Sequence, residues 1–210
     1  VCKIIKAKVP IIVEKALATS KQEINSIKNL LIKENGFLAV IYNYLGYPMV
    51  RELRNYIKSG LLGTLHQIQI EMPMDTYLRV HQNREKNIPQ QWRLNERDIP
   101  FISLDLGVHL HMLIHYLTNL KPLEVIAKMD SFGNFSFVVD NVNCIISYPN
   151  NLICNMWFTK SAIGNRNGMK IRIYGNEGSA EWYQENSEFL LISKANGERW
   201  TIDRGSPDLK

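Results

Sequence analysis

The chain has 210 residues, 45% hydrophobic and 21% charged, enough apolar material for the core of one domain or one domain plus part of another. Its formal charge of +5 suits an anionic ligand, but the 25 Lys and Arg are scattered without a basic block, which argues against a nucleic-acid face. No apolar run approaches the roughly 18 residues of a membrane span, and three cysteines (Cys2, Cys144, Cys154) without CxxC spacing argue against a zinc ribbon or disulfide framework and fit a reducing cytoplasm.

In chain order, "VCKIIKAK" reads as the tail of a helix and "VPIIV" as a short buried strand, a start in mid-fold that points to a fragment. The opening residues are too charged for a signal peptide. Ser20 and Glu23 have capping-box spacing for a helix with apolar Ile24, Ile27, Leu30 and Leu31, and Gly36 is placed to end it in a left-handed conformation. "FLAVIYNY" then reads as a buried strand. Residues 1–44 thus have the helix–strand alternation of a parallel α/β sheet.

Pro48 opens a second helix carrying Val50, Leu53 and Ile57, closed by Gly60. From "LHQIQIEM" the period changes to two, with Ile68 and Ile70 alternating with Gln67 and Gln69. A helix near 101–118 is followed by strand-like runs at 122–130, 136–147, 152–160, 169–175, 178–183 and 188–193. Their separators "GN", "PNN", "GNRNG", "GNEG" and "ANGE" have hairpin-turn chemistry, and the final "DRGSPDLK" is turn-like after one more strand-like segment. The expected class is α/β plus α+β: the end of a Rossmann-type parallel sheet, then a large, mostly antiparallel sheet with helices on one face.

"DLGVHLHMLIHYL" concentrates three of the five histidines on one helix. At about 100° per residue, Leu106, Leu110, Leu113 and Leu117 form the core stripe, with Asp105, His109, Met112 and Tyr116 on an adjacent one. Asp105 and His109 are then helical neighbours, and a carboxylate beside an imidazole raises its basicity. This is either an acid–base pair or a structural helical pair. His111 and His115 share a face, but Met112 stands where a metalloprotease helix has its Glu, so they read as surface or packing residues and no metal is expected. Glu14 and Lys15 follow a presumptive parallel strand, where α/β sheets place ligands, although such a pair is often only solvated. No GxGxxG, P-loop or GxSxG occurs.

Five ordered segments resemble the Gfo/Idh/MocA family of NAD(P)-dependent oxidoreductases. "IIVEKALATS" is similar to its Glu-Lys-Pro motif, "IYNYLGYPMVRELRNYIKSGLLGTLHQIQ" to the following strand, helix and first sheet strand, and "PQQWRL" to a Trp-Arg segment. "LDLGVH" fits its Asp-x-x-x-His motif and "IYGNEGSAEW" its sheet hairpin. The resemblance implies that residues 1–45 are the C-terminal part of a Rossmann-like dinucleotide-binding domain and 46–210 an α/β substrate-binding and oligomerisation domain. It also implies that the first βαβ unit, with its glycine turn and the residue selecting NAD or NADP, lies outside this chain.

By the same resemblance Lys15, Asp105 and His109 are catalytic. His109 takes the hydroxyl proton of a sugar, cyclitol or nucleotide-sugar, Asp105 orients it, and Lys15 stabilises negative charge on oxygen while hydride passes to nicotinamide. Glu14, Lys15, Asn43, Trp92 and Arg93 are the implied contacts to NAD or NADP. Specificity is expected in loops such as "PMDTYLRVHQNREKNIPQ". Ala16 stands where the family has proline, which constrains the turn after Lys15 less. The expected partners are a sugar-like substrate and further copies of the chain, a dimer or tetramer through the open sheet, with no nucleic acid and no membrane. The competing reading is a catalytically inactive relative whose sheet serves assembly or binding.

Overall fold

The computed structural model describes residues 1–81, 83, 85–207 and 209. Helix α1 (Cys2–Lys6), strand β1 (Ile11–Glu14), helix α2 (Lys21–Glu34) and strand β2 (Leu38–Ile41) come first. Strands β1 and β2 pair in parallel, Ile11 opposite Leu38 and Glu14 opposite Ile41. They share a small core of Ile5, Ile11 and Ile27, while Ile12 on the other face is 70% exposed. The Ser20 hydroxyl caps α2 by accepting the Glu23 N–H, and Glu23 reaches back to the N–H and hydroxyl of Thr19. The helix ends on Asn35 in the left-handed region (φ 49°), one residue before the expected Gly36. Asn tolerates that conformation because its short polar side chain bonds locally.

The second strand is shorter than expected, because the chain turns at Asn43–Gly46 into a 3-10 turn that buries Tyr44. Helix α3 (Pro48–Lys58) has proline in its first turn and buries Met49, Val50 and Leu53. Gly60 and Gly63 follow at φ +76° and +70°, reversing the chain into β3 (Leu65–Pro73). After a long loop come a 3-10 turn (Gln91–Leu94), a π-helical turn (Ser103–Gly107) and helix α4 (Val108–Thr118). Strands β4 (Glu124–Asp130), β5 (Asn141–Ser147), β6 (Ile153–Thr159), β7 (Lys170–Gly175), β8 (Gly178–Tyr183), β9 (Phe189–Lys194) and β10 (Arg199–Asp203) complete the chain.

Strands β3–β10 form one sheet in the order β10-β9-β8-β7-β3-β6-β5-β4, with β3 and β6 its parallel pair and the other neighbours antiparallel. Helices α3 and α4 pack on one face, where Ile68, Ile70, Phe158, Ile171, Ile173, Trp182 and Ile192 meet Leu53, Leu106, Leu110, Leu113 and Leu117. The expected leucine stripe of α4 is thus the core stripe. One turn differs from expectation. "GNRNG" joins β6 to β7 but makes no hairpin, because β3 is inserted between those strands. "PNN", "GNEG" and "ANGE" do join paired neighbours. Of the expected specificity loop and the C-terminal turn, Gln82, Arg84, Asp208 and Lys210 lie outside the described residues.

Candidate active site

Lys15 is the first residue after β1, at the C-terminal end of the parallel pair. Asp105 lies in the π-helical turn and His109 in the first turn of α4. Arg93 sits in the 3-10 turn before them, and Lys160 directly follows β6. The Lys15–Ala16 peptide is cis. Three separate segments converge on the Asp105 carboxylate of a fourth.

Asp105 is the hub. Lys15 Nζ donates to its backbone carbonyl at 2.6 Å and to Oδ1 at 3.0 Å. On the other oxygen, Lys160 Nζ stands 2.7 Å and Arg93 Nη1 3.4 Å from Oδ2. Burial pushes the Asp105 carboxyl up, but the ammonium groups of Lys160 and Lys15 outweigh it and hold the group below the usual carboxylate range. Lys160 is 2% exposed. Burial pulls its ammonium pKa down, Asp105 opposes that, and Arg93 and Lys15 add to the lowering.

His109 is buried, with Nδ1 lacking a hydrogen-bond partner. The Tyr44 ring meets its imidazole edge-on, with centroids 4.8 Å apart, and Tyr42 does so at 6.1 Å. Tyr44 in turn donates to Asn167 Oδ1 at 3.3 Å. Burial, with the nearby Lys15 charge, lowers the His109 pKa from 6.5 to about 4. Asp105 raises it, as the sequence leads one to expect, but burial first and the Lys15 charge second outweigh it. At neutral pH the imidazole is therefore uncharged and able to accept a proton.

This lowering has a consequence for acid stability. As pH falls from 6.5 toward about 4, the unfolded chain takes up a proton at His109 and the folded chain does not, so stability drops across that window. The loss should be about 3 kcal/mol, from roughly 1.4 kcal/mol for each unit of pKa difference. Asp105, with its lowered pKa, adds a further loss only below 3.8. Urea unfolding at pH 7 and pH 4.5 should show most of the first loss in the wild type and little of it in His109→Asn. Equal losses in both would contradict it.

Two cavities meet at this cluster. The first, about 520 Å³, is lined by Lys15, Tyr44, Tyr77, Asp105, His109 and Lys160, among others. Arg93 and Asn87–Gln90 of the long loop complete its wall. The second, about 480 Å³, is bounded by Glu14, Lys15, Thr19, Trp92, Arg93 and Phe101. Of the residues singled out in the sequence, Lys15, Arg93, Asp105 and His109 thus share one space, and Glu14 and Trp92 join Lys15 and Arg93 in the other. Asn43 is in neither. It borders a separate hollow with Glu188 and Arg204, because the 3-10 turn sends Tyr44 inward in its place. His115 Nδ1 lies 3.1 Å from the Leu120 carbonyl, away from the cluster. Among the described residues, no group of three or more His, Cys, Asp or Glu side chains gathers to hold a metal ion.

The model of the GFO/IDH/MocA C-terminal domain matches residues 50–181, more than half of the chain. The chain belongs to the GFO/IDH/MocA family. It is 25% identical to the uncharacterized oxidoreductase YfiI of Bacillus subtilis over its whole length, and 24% identical over 90% of its length to levoglucosan dehydrogenase of Pseudarthrobacter phenanthrenivorans. It spans 54% and 53% of those proteins. In fold it is similar to an inositol dehydrogenase homolog of Azotobacter vinelandii solved with NADH and myo-inositol, with TM-score 0.87 and 20% identity. That likeness covers all of this chain and 53% of the other. The large mixed sheet with few helices is the GFO/IDH/MocA C-terminal architecture.

Within the GFO/IDH/MocA match lie Arg93, Asp105, His109 and Lys160, whereas Lys15 precedes it. Lys160 escaped the sequence reading, yet a signal was there. In "CNMWFTK" the inward alternation Cys154, Met156, Phe158 continues to residue 160, so a lysine occupies a core register.

Proposed function

We propose that this chain supplies the substrate-binding half of an NAD(P)-dependent dehydrogenase that oxidises a secondary alcohol of a sugar, cyclitol or nucleotide-sugar. On this reading residues 1–45 are the C-terminal part of a Rossmann-like domain and 46–210 the substrate-binding and oligomerisation domain. The observation that carries it is that Lys15, from the parallel unit, and His109, from α4, line one cavity of about 520 Å³. Relatives support it: the inositol dehydrogenase homolog was solved with NADH and myo-inositol, and levoglucosan dehydrogenase with NADH and levoglucosan. The three free cysteines support a reducing, cytoplasmic setting.

The cavity of about 480 Å³ fits the nicotinamide end of NAD or NADP. It opens at the C-terminal end of parallel strand β1, with aromatic Trp92 and Phe101 and cationic Lys15, Arg93 and Arg97 in its wall. Glu14, Lys15, Trp92 and Arg93 would hold that end. Nicotinamide supplies the hydride acceptor, or the donor in reverse. The chain's own residues manage the proton and the charge. Neutral His109 takes the hydroxyl proton, and the Lys15 ammonium stabilises negative charge on that oxygen. Asp105 fixes Lys15 through two hydrogen bonds. The segment Asn87–Gln90 walls the cavity and supports a role for its loop in specificity.

Reduced-nicotinamide absorbance tests this directly. The intact protein should reduce NAD or NADP with at least one member of a panel of polyols, aminosugars and nucleotide-sugars. A blank panel would favour the assembly reading, which has its own support. On the face away from the helices, cross-strand partners Ile126 and Ile145 are 74% and 53% exposed. They border a hollow of about 550 Å³. Apolar surface of this kind favours a symmetric self-contact. Sedimentation equilibrium should find a dimer or tetramer that Ile126→Asp with Ile145→Asp dissociates. A monomeric wild type would rule this contact out.

A further inference from the structure

The charge around the larger cavity does not balance. Among the described residues lining it, Lys15, Arg93 and Lys160 are cations and Asp105 is the single carboxylate. His109, with its pKa near 4, contributes no charge at pH 7. Both Asp105 oxygens are already occupied, Oδ1 by Lys15 and Oδ2 by Lys160 and Arg93. Glu14 is solvent-exposed on the adjoining cavity, and two further acids near Tyr77 face backbone. Glu96 accepts the N–H groups of Phe101 and Val139, and Asp140 those of Phe132 and Gly133. Neither forms an ion pair with the three cations among the described residues.

Lys160 makes the excess expensive. Its side chain is 2% exposed, so water does little to solvate its charge. The Tyr77 and Phe101 rings, with centroids 5.5 and 5.8 Å from Nζ, offer only weak compensation. A neutral polyol would bring no counter-charge to this place. An anion would.

We propose that the substrate of this cavity is an anionic sugar, whose carboxylate or phosphate is held by Lys160 and Arg93 while its reacting hydroxyl meets Lys15 and His109. Lys15 and Lys160 both touch Asp105, so the two subsites lie within the span of a single sugar. Arg93 adds a planar fork suited to an oxyanion. The proposal deepens the dehydrogenase reading and rests on its assignment of this cavity to substrate.

The test uses the intact protein with matched probes: D-gluconate, D-glucuronate and D-glucose 6-phosphate against neutral D-glucose and myo-inositol. Turnover is read by nicotinamide absorbance, and binding separately by titration calorimetry. At least one anionic probe should exceed its neutral counterpart in kcat/KM. Lys160→Gln should remove about tenfold to a hundredfold of that preference, the range of one charge-assisted hydrogen bond, mainly through KM, and Lys160→Arg should restore most of it. Whether the acids or the phosphate show the preference identifies the anion.

Preference for the neutral sugars, or an equal loss for both classes in Lys160→Gln, overturns the proposal and leaves the dehydrogenase reading intact. Anionic probes that bind in a Lys160-dependent way without turnover overturn the dehydrogenase reading and keep the anion site. Absence of anion binding and turnover overturns the proposal.

Discussion

Lys15→Met should lower kcat/KM by about a hundredfold to a thousandfold, the effect of removing one preorganised group that stabilises charge on oxygen. His109→Asn should lower it by about a hundredfold to ten-thousandfold, the usual contribution of a positioned general base. Because both act on the same hydroxyl, the double variant should fall far short of the product of the single losses. The fold should survive each change. Asp105 keeps Lys160 and Arg93 as partners when Lys15 is gone. Steady-state rates on a turned-over alcohol, with circular dichroism to verify folding, check this. Single losses below about threefold would remove these residues from the chemistry.

The second large effect is on stability. Asp105→Asn should destabilise the protein by about 3 kcal/mol, the lower end of the cost of breaking one partner out of a buried ion pair. The cause is Lys160, which loses the partner now at 2.7 Å and is too buried to be rescued by water. Adding Lys160→Met should recover most of the loss, since the stranded charge leaves with it. Urea unfolding of the wild type, both single variants and the double variant measures the coupling. Additive losses would mean that the pair does not hold this region together.

Much of the fold is written in local patterns. The Ser20–Glu23 spacing, the first-turn Pro48 and the two-residue alternation of Ile68 and Ile70 each specify an element without reference to the rest of the chain. What escapes is non-local. Nothing near Leu65–Pro73 says that β3 lies between β6 and β7, and so "GNRNG" resembles a hairpin turn that the sheet order forbids. The reach of "FLAVIYNY" was likewise decided by burial of Tyr44 against the main core, which ends the strand early and turns Asn43 away.

The site divides along the same line. Asp105 and His109 are legible because they stand four positions apart in one helical segment, and Lys15 because it directly follows a parallel strand. The charge balance is not legible. That balance depends on Arg93 and Lys160 arriving from distant segments, and the burial that, with Lys15, outweighs Asp105 at His109 is equally non-local. Only the inward register of residue 160 gave notice of its burial.

The central claim is that the Lys15 ammonium and the His109 imidazole face each other across one cavity. An NMR titration of the His109 ring in the wild type and in Lys15→Met tests it most directly. The account predicts a wild-type pKa near 4 that rises when the ammonium is removed. A value near 6.5 that is unchanged in Lys15→Met would contradict it.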